Sequence, residues 1–522
     1  MPFNYILNRE ETRKVKEEGA KILFDTVSST LGPRGNEVGF FAAGDMAMAI
    51  HDGVEVARRV VVEDPGHMWA IKTILQSANK TVSSVGDGTT LTTILSYEIF
   101  HQAMSNIIAG AKPRALVDDL LKNKDKLIEE IKKVSIPLKK IEQAIGIASI
   151  SAQDPKLGKD IGEIVFKMGI DGVVTTDISD TGETYIDFQE GCQFENGYMS
   201  PYFVTDPSRG EATVENPRIL LTDKNLNNIN ELAPLLKQFE EAKEPNVVII
   251  AQDIGGSALE SAILTKVRGG MNVICIRAPY AGQVQKDFLD DIAIMTGGVV
   301  ISQQQGRSFQ NVRLNELGQA KRVTSTDIAT LIVGGKGDRF AVEKRIADLK
   351  TLLAEKPMNS DYQTEKLKER IAKLSTGIAV VKVGAPLEIE QKNYMERAKD
   401  AVRATTAAMK DGYVPGGETI YFAVREALDQ TLGGRILYNA IEKPYRVLLE
   451  NAGLAPDRFI DRIKDGYGVD VIDGQVKKMI ESQIVDPTAV SIEAITNAVS
   501  AAISLFTTET LILPKLEEKK NG

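Results

Sequence analysis

Val85-Gly86-Asp87-Gly88-Thr89-Thr90-Leu91-Thr92-Thr93 is a glycine-hinged loop that runs straight into a helix, because Ile94, Leu95, Ile99 and Phe100 recur behind it at helical spacing. Asp and Thr ahead of an apolar run are also what an ordinary helix start requires. The same residues suit a phosphate: two glycines admit close backbone approach, the hydroxyls donate, and the helix N-terminus carries partial positive charge. Asp87 adds a carboxylate able to hold Mg²⁺. No G-x-x-x-x-G-K-[ST] stretch occurs in the chain, so the loop is not the common P-loop.

Two further segments lie upstream. Thr30-Leu31-Gly32-Pro33-Arg34-Gly35-Asn36 is a second glycine-rich turn, and His51-Asp52-Gly53-Val54 brings a second loop aspartate. With all three segments in place the chain closely resembles the group I chaperonins, the bacterial GroEL family, from about Asn8 to Pro514.

Composition sets the bounds. A chain of 522 residues exceeds one core and suggests two to four domains. Apolar residues at 43% and charged residues at 26% describe a globular protein, and apolar runs are expected to fall short of a membrane span. The start, Met1-Pro2-Phe3-Asn4 followed by Arg9-Glu10-Glu11-Thr12-Arg13, has early acids and no apolar h-region, which argues against a signal or transit peptide. A net charge of −9 with dispersed Lys and Arg gives no footprint for nucleic acid. Two cysteines, Cys192 and Cys275, cannot build a disulfide framework or a Cys-rich metal site, and three histidines exclude most His-based metal chemistry. The economical compartment is the cytoplasm, bacterial or that of an infected host.

Taken in order, Asn8 to Val134 is mostly helical. Leu116, Leu120, Leu127, Ile128 and Ile131 form the apolar face of an amphipathic helix over 114–134, and Pro137 stops it. A short mixed segment passes Ile150-Ser151-Ala152 and Asp171-Gly172-Val173-Val174 and reaches Glu183-Thr184-Tyr185-Ile186-Asp187-Phe188, which has strand period. Beyond Gly191, apolar runs at 246–250, 271–276 and 298–301 alternate with helical stretches, the pattern of a largely parallel, two-side-covered sheet. Residues 338–374 read as a charged helical pair interrupted near Pro357. From Lys410-Asp411-Gly412 to Ser491–Phe506 the chain is helical again. Helix-rich ends around an α/β middle suggest an inserted domain.

The resemblance implies the same plan: a multidomain α and α/β chaperonin fold. Its helical equatorial domain would comprise 1–133 and 411–522, its small intermediate domain 134–190 and 378–410, and its inserted α/β apical domain 191–377. Gly191 and Gly377 match the family's upper hinge, Pro137 and Gly412 the lower one.

The resemblance also assigns roles. Thr30, Leu31, Gly32, Pro33, Gly88, Thr89, Thr90 and Leu91 surround ATP, with Ile150 and Ser151 nearby, and Asp87 binds Mg²⁺; K⁺ is a further cofactor it allows. Asp52 and Asp400 orient the attacking water, an arrangement suited to phosphoryl transfer. Gly416 and Gly417, in Val414-Pro415-Gly416-Gly417, match the adenosine-side turn, and Asp486 matches the ribose acid. Asp470 belongs to the base-contacting strand Tyr467-Gly468-Val469-Asp470-Val471-Ile472. Here the chain departs from the family, which usually has lysine at His51, asparagine at Asp470 and alanines at Val471 and Ile472.

Tyr198, Tyr202, Phe203, Leu236, Leu259, Ile263 and Leu264 match the residues with which the family captures non-native client proteins, an exposed apolar surface of a kind soluble proteins otherwise avoid. Leu259, Ile263 and Leu264 fall near one helical face. The implied assembly is a homo-oligomeric, heptameric ring with a co-chaperonin lid, and no nucleic acid or membrane partner. Where double-ring relatives carry an acidic pair, Asn451-Ala452-Gly453 is followed by Leu454-Ala455, with Arg446 kept. The tail Leu516-Glu517-Glu518-Lys519-Lys520-Asn521-Gly522 lacks the usual Gly-Met run, as in a divergent bacterial or virus-encoded member. Two other readings fit the loop chemistry: an ATP-binding holdase with little turnover, and a soluble ATP-dependent phosphotransferase.

Overall fold

Helix Pro65–Val85 begins where the Asp64 carboxylate accepts from the Gly66 and His67 N–H groups, and it ends at Gly86, whose φ of 84° only glycine adopts without strain. One residue on, Gly88 takes φ 97° and helix Thr89–Ile108 begins. The computed structural model describes residues 4–42, 46–50, 53–170, 172–207, 209–302, 312–355, 361–375 and 377–514. It divides into two units, Met1–Ile170 with Lys392–Gly522, and Asp171–Gln391.

In the first unit, Leu91, Ile94, Leu95, Ile99, Phe100 and Ala103 of helix Thr89–Ile108 are all buried. This helix is apolar nearly all round, as a central core helix must be. Helices Arg9–Ser28, Pro65–Val85 and Thr488–Thr507 pack around it. Helix Thr488–Thr507 corrects one expectation, since it is long and apolar enough to cross a membrane. Its Ala494, Ile495, Ala498, Val499 and Ala502 are wholly buried in the same core, and its apolarity is spent on packing. Helix Pro113–Val134 buries Leu116, Leu120, Leu127 and Ile131, the face its period predicts. Strands Asn4–Leu7 and Leu511–Pro514 pair antiparallel, with Ile6 opposite Ile512. Between Gly412 and Thr488 the expected helical character is broken into short helices and two-stranded pairs, Tyr413–Pro415 with Val485–Pro487 and Tyr467–Asp470 with Gln475–Lys478.

The second unit holds two sheets. The larger has eight strands, and its parallel half is the one the apolar runs predict: Asn272–Arg277, Asn246–Ile254, Arg218–Leu226 and Val300–Ile301 lie side by side. The other half is antiparallel, built from Gly318–Ser325, Ala329–Gly335, Gly191–Glu195 and Ala212–Glu215. The sheet is therefore mixed. Its antiparallel strand Gly318–Ser325 interleaves half-buried Gln319, Lys321 and Arg322 with buried Ala320 and Val323, an alternation that gives no continuous apolar run. The smaller sheet places Ile378–Val383 between Val173–Ile178 and Tyr185–Gln189. Asp177 and Lys382 are cross-strand partners there, and Arg322 Nη2 of the larger sheet donates to Asp177 at 2.8 Å. Burial opposes ionisation of this carboxyl, but the hydrogen bonds from Lys382 and Arg322 prevail and hold it at about 2.

Candidate functional site

The glycine loop opens the site in the first unit. Gly88 has no Cβ and no side chain caps the helix behind it, so the first-turn N–H groups have no side-chain acceptor. Thr89 Oγ1 is buried and finds no hydrogen-bond partner among the described residues. Asp87 reaches solvent, yet protein packed around it raises its carboxyl, partly offset by the Gly88 N–H at 2.6 Å. Leu91 points into the core and leaves only its backbone to the loop.

The Thr30-Leu31-Gly32-Pro33 turn is held against this loop. Thr30 Oγ1 lies 3.4 Å from Thr90 Oγ1 and donates to Val27 O, while Asn451 Nδ2 donates to Ser28 O and Leu31 O at 2.9 and 3.0 Å. Gly32 has φ 82°, and a Cβ there would lie 2.2 Å from Leu448 Cδ1. Gly53 fits equally closely, with its Cβ position 2.1 Å from Thr90 Oγ1. Its neighbours His51 and Asp52 lie outside the described residues.

Asp400 sits on the helix that runs on to Asp411 and is half-buried. One turn later, Arg403 crosses the loop so closely that a Cβ on Gly86 would lie 2.1 Å from Arg403 Cβ. The helix bearing Asp400 is thus packed on the residue next to Asp87, and Arg403 is a contact that sequence reasoning missed. Ser151 Oγ, on helix Ile141–Ala152, is a second buried hydroxyl without a partner among the described residues, and Ile150 beside it is exposed.

In the C-terminal part of the unit, Val414 pairs with Asp486, and the Gly416 N–H donates to Ile484 O at 3.0 Å. Gly417 and then Glu418 both take φ 62°, and the Gly417 N–H donates to the Asp486 carboxylate. Burial first, then the charge of Asp87, lifts Asp486 to about 7. Glu418 is raised well above its usual range by burial and by Asp486 and Asp87. Asp470 is already engaged: Lys477 Nζ and the Ile472 N–H donate to it at 2.7 and 3.0 Å. Arg34 Nη2 donates to Ile472 O at 3.1 Å, which ties the Thr30–Gly35 turn to this strand. Val471 packs on the cluster around Phe422 and Tyr445, and Ile472 faces out.

Phosphate-suited donors at the head of helix Thr89–Ile108 and the carboxyls of Asp87 and Asp486, whose charges interact, are a donor and acceptor set that suits a nucleotide. The sequence profile of the TCP-1/cpn60 chaperonin family matches residues 23–515, nearly the whole chain. The chain belongs to that family. Among solved structures this chaperonin is similar to the chaperonin gp146 from the bacteriophage EL 2 (Pseudomonas aeruginosa), crystallised in presence of ATP-BeFx. The TM-score is 0.67 over 98% of this chain and 99% of that one, at 18% identity, a likeness of fold.

In the second unit of the chaperonin, the apolar residues singled out in the sequence differ in exposure. Tyr202 is 69% and Leu264 50% exposed, with Val267 beside them at 65%. Leu236, Leu259 and Ile263 are half-buried on the rim of the core, as is Tyr198. Phe203 departs from the expectation: it is wholly buried. In the tight 3-10 turn Pro201–Phe203, consecutive side chains diverge, so Tyr202 outward sends Phe203 inward. Lys266 of helix Gly256–Val267 donates to Phe203 O and ties that turn to the helix presenting Leu264.

Proposed function

We propose that this chaperonin binds and hydrolyses ATP at the glycine loop of the first unit and uses the cycle to capture and release non-native proteins on the apolar surface of the second. The observation that carries the reading is the uncapped head of helix Thr89–Ile108, where Gly88 leaves N–H groups uncapped and Thr89 Oγ1 is buried without a partner. An anion supplies the acceptors these donors need.

Mg²⁺ fits Asp87. Among the described residues no group of three or more His, Cys, Asp or Glu is placed to hold a metal, and Mg²⁺ is commonly held by one or two carboxylates together with substrate phosphates. When bound it neutralises charge on those phosphates. Thr30, Gly32, Pro33, Thr90 and Leu91 would line the phosphate side, with K⁺ a further cofactor there, and Gly416, Gly417, Asp470 and Asp486 the nucleoside side. Asp52 and Asp400 would position water, and Ile150 and Ser151 would sit at the edge. In this reading the first unit is largely the equatorial domain, the eight-stranded sheet is the apical domain, and the intermediate domain joins them about Gly191, Gly377, Pro137 and Gly412.

Ring assembly has support in the first unit. Ile6 and Ile512 are 65% and 66% exposed on a two-stranded sheet whose edges are both unpaired among the described residues, and Phe41 projects at 78% from strand Val38–Ala42, which pairs with Met46–Ile50. Unpaired edges and apolar outer faces invite another chain. A heptameric ring, a co-chaperonin lid and a cytoplasmic setting complete the proposal.

Native mass spectrometry with and without ATP, combined with phosphate release in the absence of any acceptor, tests the reading. Ring-sized oligomers that hydrolyse ATP without an acceptor are expected. A monomer that turns over only with a small acceptor would favour a phosphotransferase, and a ring that captures unfolded protein without turnover would favour a holdase.

A further inference from the structure

Glu418 is anomalous twice over. Its φ of 62° is a left-handed conformation that disfavours any residue with a Cβ. Its carboxylate also has no hydrogen bond or ion pair among the described residues, while Asp486 and Asp87 add negative charge nearby. Strain and an unpartnered carboxyl at one residue point toward function.

The local geometry fixes the backbone that carries this carboxylate. The turn is pinned on both sides: Thr419 Oγ1 donates to Gly416 O at 2.8 Å, Gly416 N–H to Ile484 O at 3.0 Å, and Gly417 N–H to the Asp486 carboxylate. Glu418 is therefore the residue immediately after the one that touches Asp486. A divalent cation shared by Glu418 and Asp486 would need further ligands from outside the chain, since no third acid is arranged with them among the described residues. Neutral hydroxyl donors satisfy paired carboxylates without that requirement. Independently, the buried, unpartnered Thr89 Oγ1 at the helix head marks the phosphate end of a ligand whose sugar would lie toward these acids.

We infer that Glu418 is a specificity-determining residue that accepts a hydrogen bond from one hydroxyl of the nucleotide's ribose diol, beside Asp486 on the other. The inference rests on the nucleotide reading above. A site whose buried acceptors await a hydroxyl rejects the analogue that lacks it, since an acceptor is then left unpaired. The chaperonin would therefore discriminate ribonucleotides from deoxyribonucleotides at two positions.

The test is calorimetry of the full-length chaperonin in Mg²⁺ with ATP, 2′-deoxy-ATP and 3′-deoxy-ATP, for the unaltered protein and Glu418→Gly. Glycine suits φ 62°, so the variant keeps the turn. Ratios of affinity are read because removing a negative charge changes the affinity for every phosphate-bearing ligand together. The unaltered protein should prefer ATP over each deoxynucleotide by about tenfold or more, as expected for hydrogen bonds to charged groups. Glu418→Gly should lose that preference against one analogue and keep it against the other. Tight ATP binding with both ratios unchanged overturns the role of Glu418 alone. Absence of any ATP binding by the unaltered protein overturns the nucleotide reading and this inference with it. Loss of a second bound Mn²⁺ in Glu418→Gly, with the ratios intact, would make the pair cation ligands and likewise overturn the inference.

Discussion

Replacing Gly86 by alanine should separate the phosphate loop from the helix that carries Asp400. Two costs add. At φ 84° an L-residue costs about 1–2 kcal/mol. The new methyl would then stand 2.1 Å from Arg403 Cβ and 2.8 Å from Arg403 Cδ. Because Cβ moves with the backbone, the helix must shift rather than a side chain rotate, at about 1–3 kcal/mol more. A total of about 2–5 kcal/mol is expected from chemical denaturation. Gly110 is the control, with φ 108° and nothing within 4 Å of its Cβ position, so Gly110→Ala carries only the backbone cost of about 1–2 kcal/mol. ATP hydrolysis should fall with Gly86→Ala and stay unchanged with Gly110→Ala. Equal destabilisation by the two variants, or normal hydrolysis by Gly86→Ala, would refute the idea that this contact holds the helix on the loop.

Asp400→Ala should lower turnover by a hundredfold or more, the order of a lost acid–base or positioning group, while ATP affinity by calorimetry stays near normal; preserved turnover removes Asp400 from the chemistry. Tyr202→Glu and Leu264→Ser should each weaken capture of a denatured test protein several-fold without changing hydrolysis, and light scattering of the aggregating client reads the effect. In acid, Asp177 supplies a pH signature: its folded carboxyl lies at about 2, below the ordinary value near 4. The unfolded chain then binds the proton first, so the stabilisation is complete above about pH 5 and is lost as pH falls toward 2. After allowance for solvent screening this is about 1–2 kcal/mol, and Asp177→Asn should flatten that part of an acid titration followed by circular dichroism. Ile512→Asp places a charge opposite Ile6 and should shift sedimentation from ring to monomer; an intact ring would show that this face is not a subunit contact.

Legibility followed physical cause. Gly86 and Gly88 announced the loop because only glycine tolerates their backbone angles, and the parallel strands were visible because strands covered on both faces read as apolar runs. The antiparallel strands were not, since Gly318–Ser325 mixes Lys321 and Arg322 with buried Ala320 and Val323. Phe203 was misplaced because the resemblance that assigned it carries residue positions and not side-chain directions, and in a 3-10 turn the inward residue is decided by packing. Glu418 and Arg403 were missed because one stands at an angle normally reserved for glycine and the other acts through a close backbone approach. Arg446 also reads differently in three dimensions: it pairs with Glu442 and with Asp457 at 2.6 and 2.8 Å, so its charge is met within the chain.

The pairing of Asn4–Leu7 with Leu511–Pro514 has a consequence for biosynthesis. At 5–20 residues per second, about 25–100 s separate emergence of Tyr5 from that of its partner Leu513. Helix Thr488–Thr507, which closes the core of the first unit, arrives equally late. The Asp171–Gln391 unit is contiguous in the chain and can fold while translation continues, whereas the N-terminal helices wait with Ile94, Leu95 and Phe100 uncovered. For that interval a nascent chaperonin subunit is itself an incompletely folded chain displaying apolar surface, and the yield of the first rings made in a cell depends on how that surface is shielded.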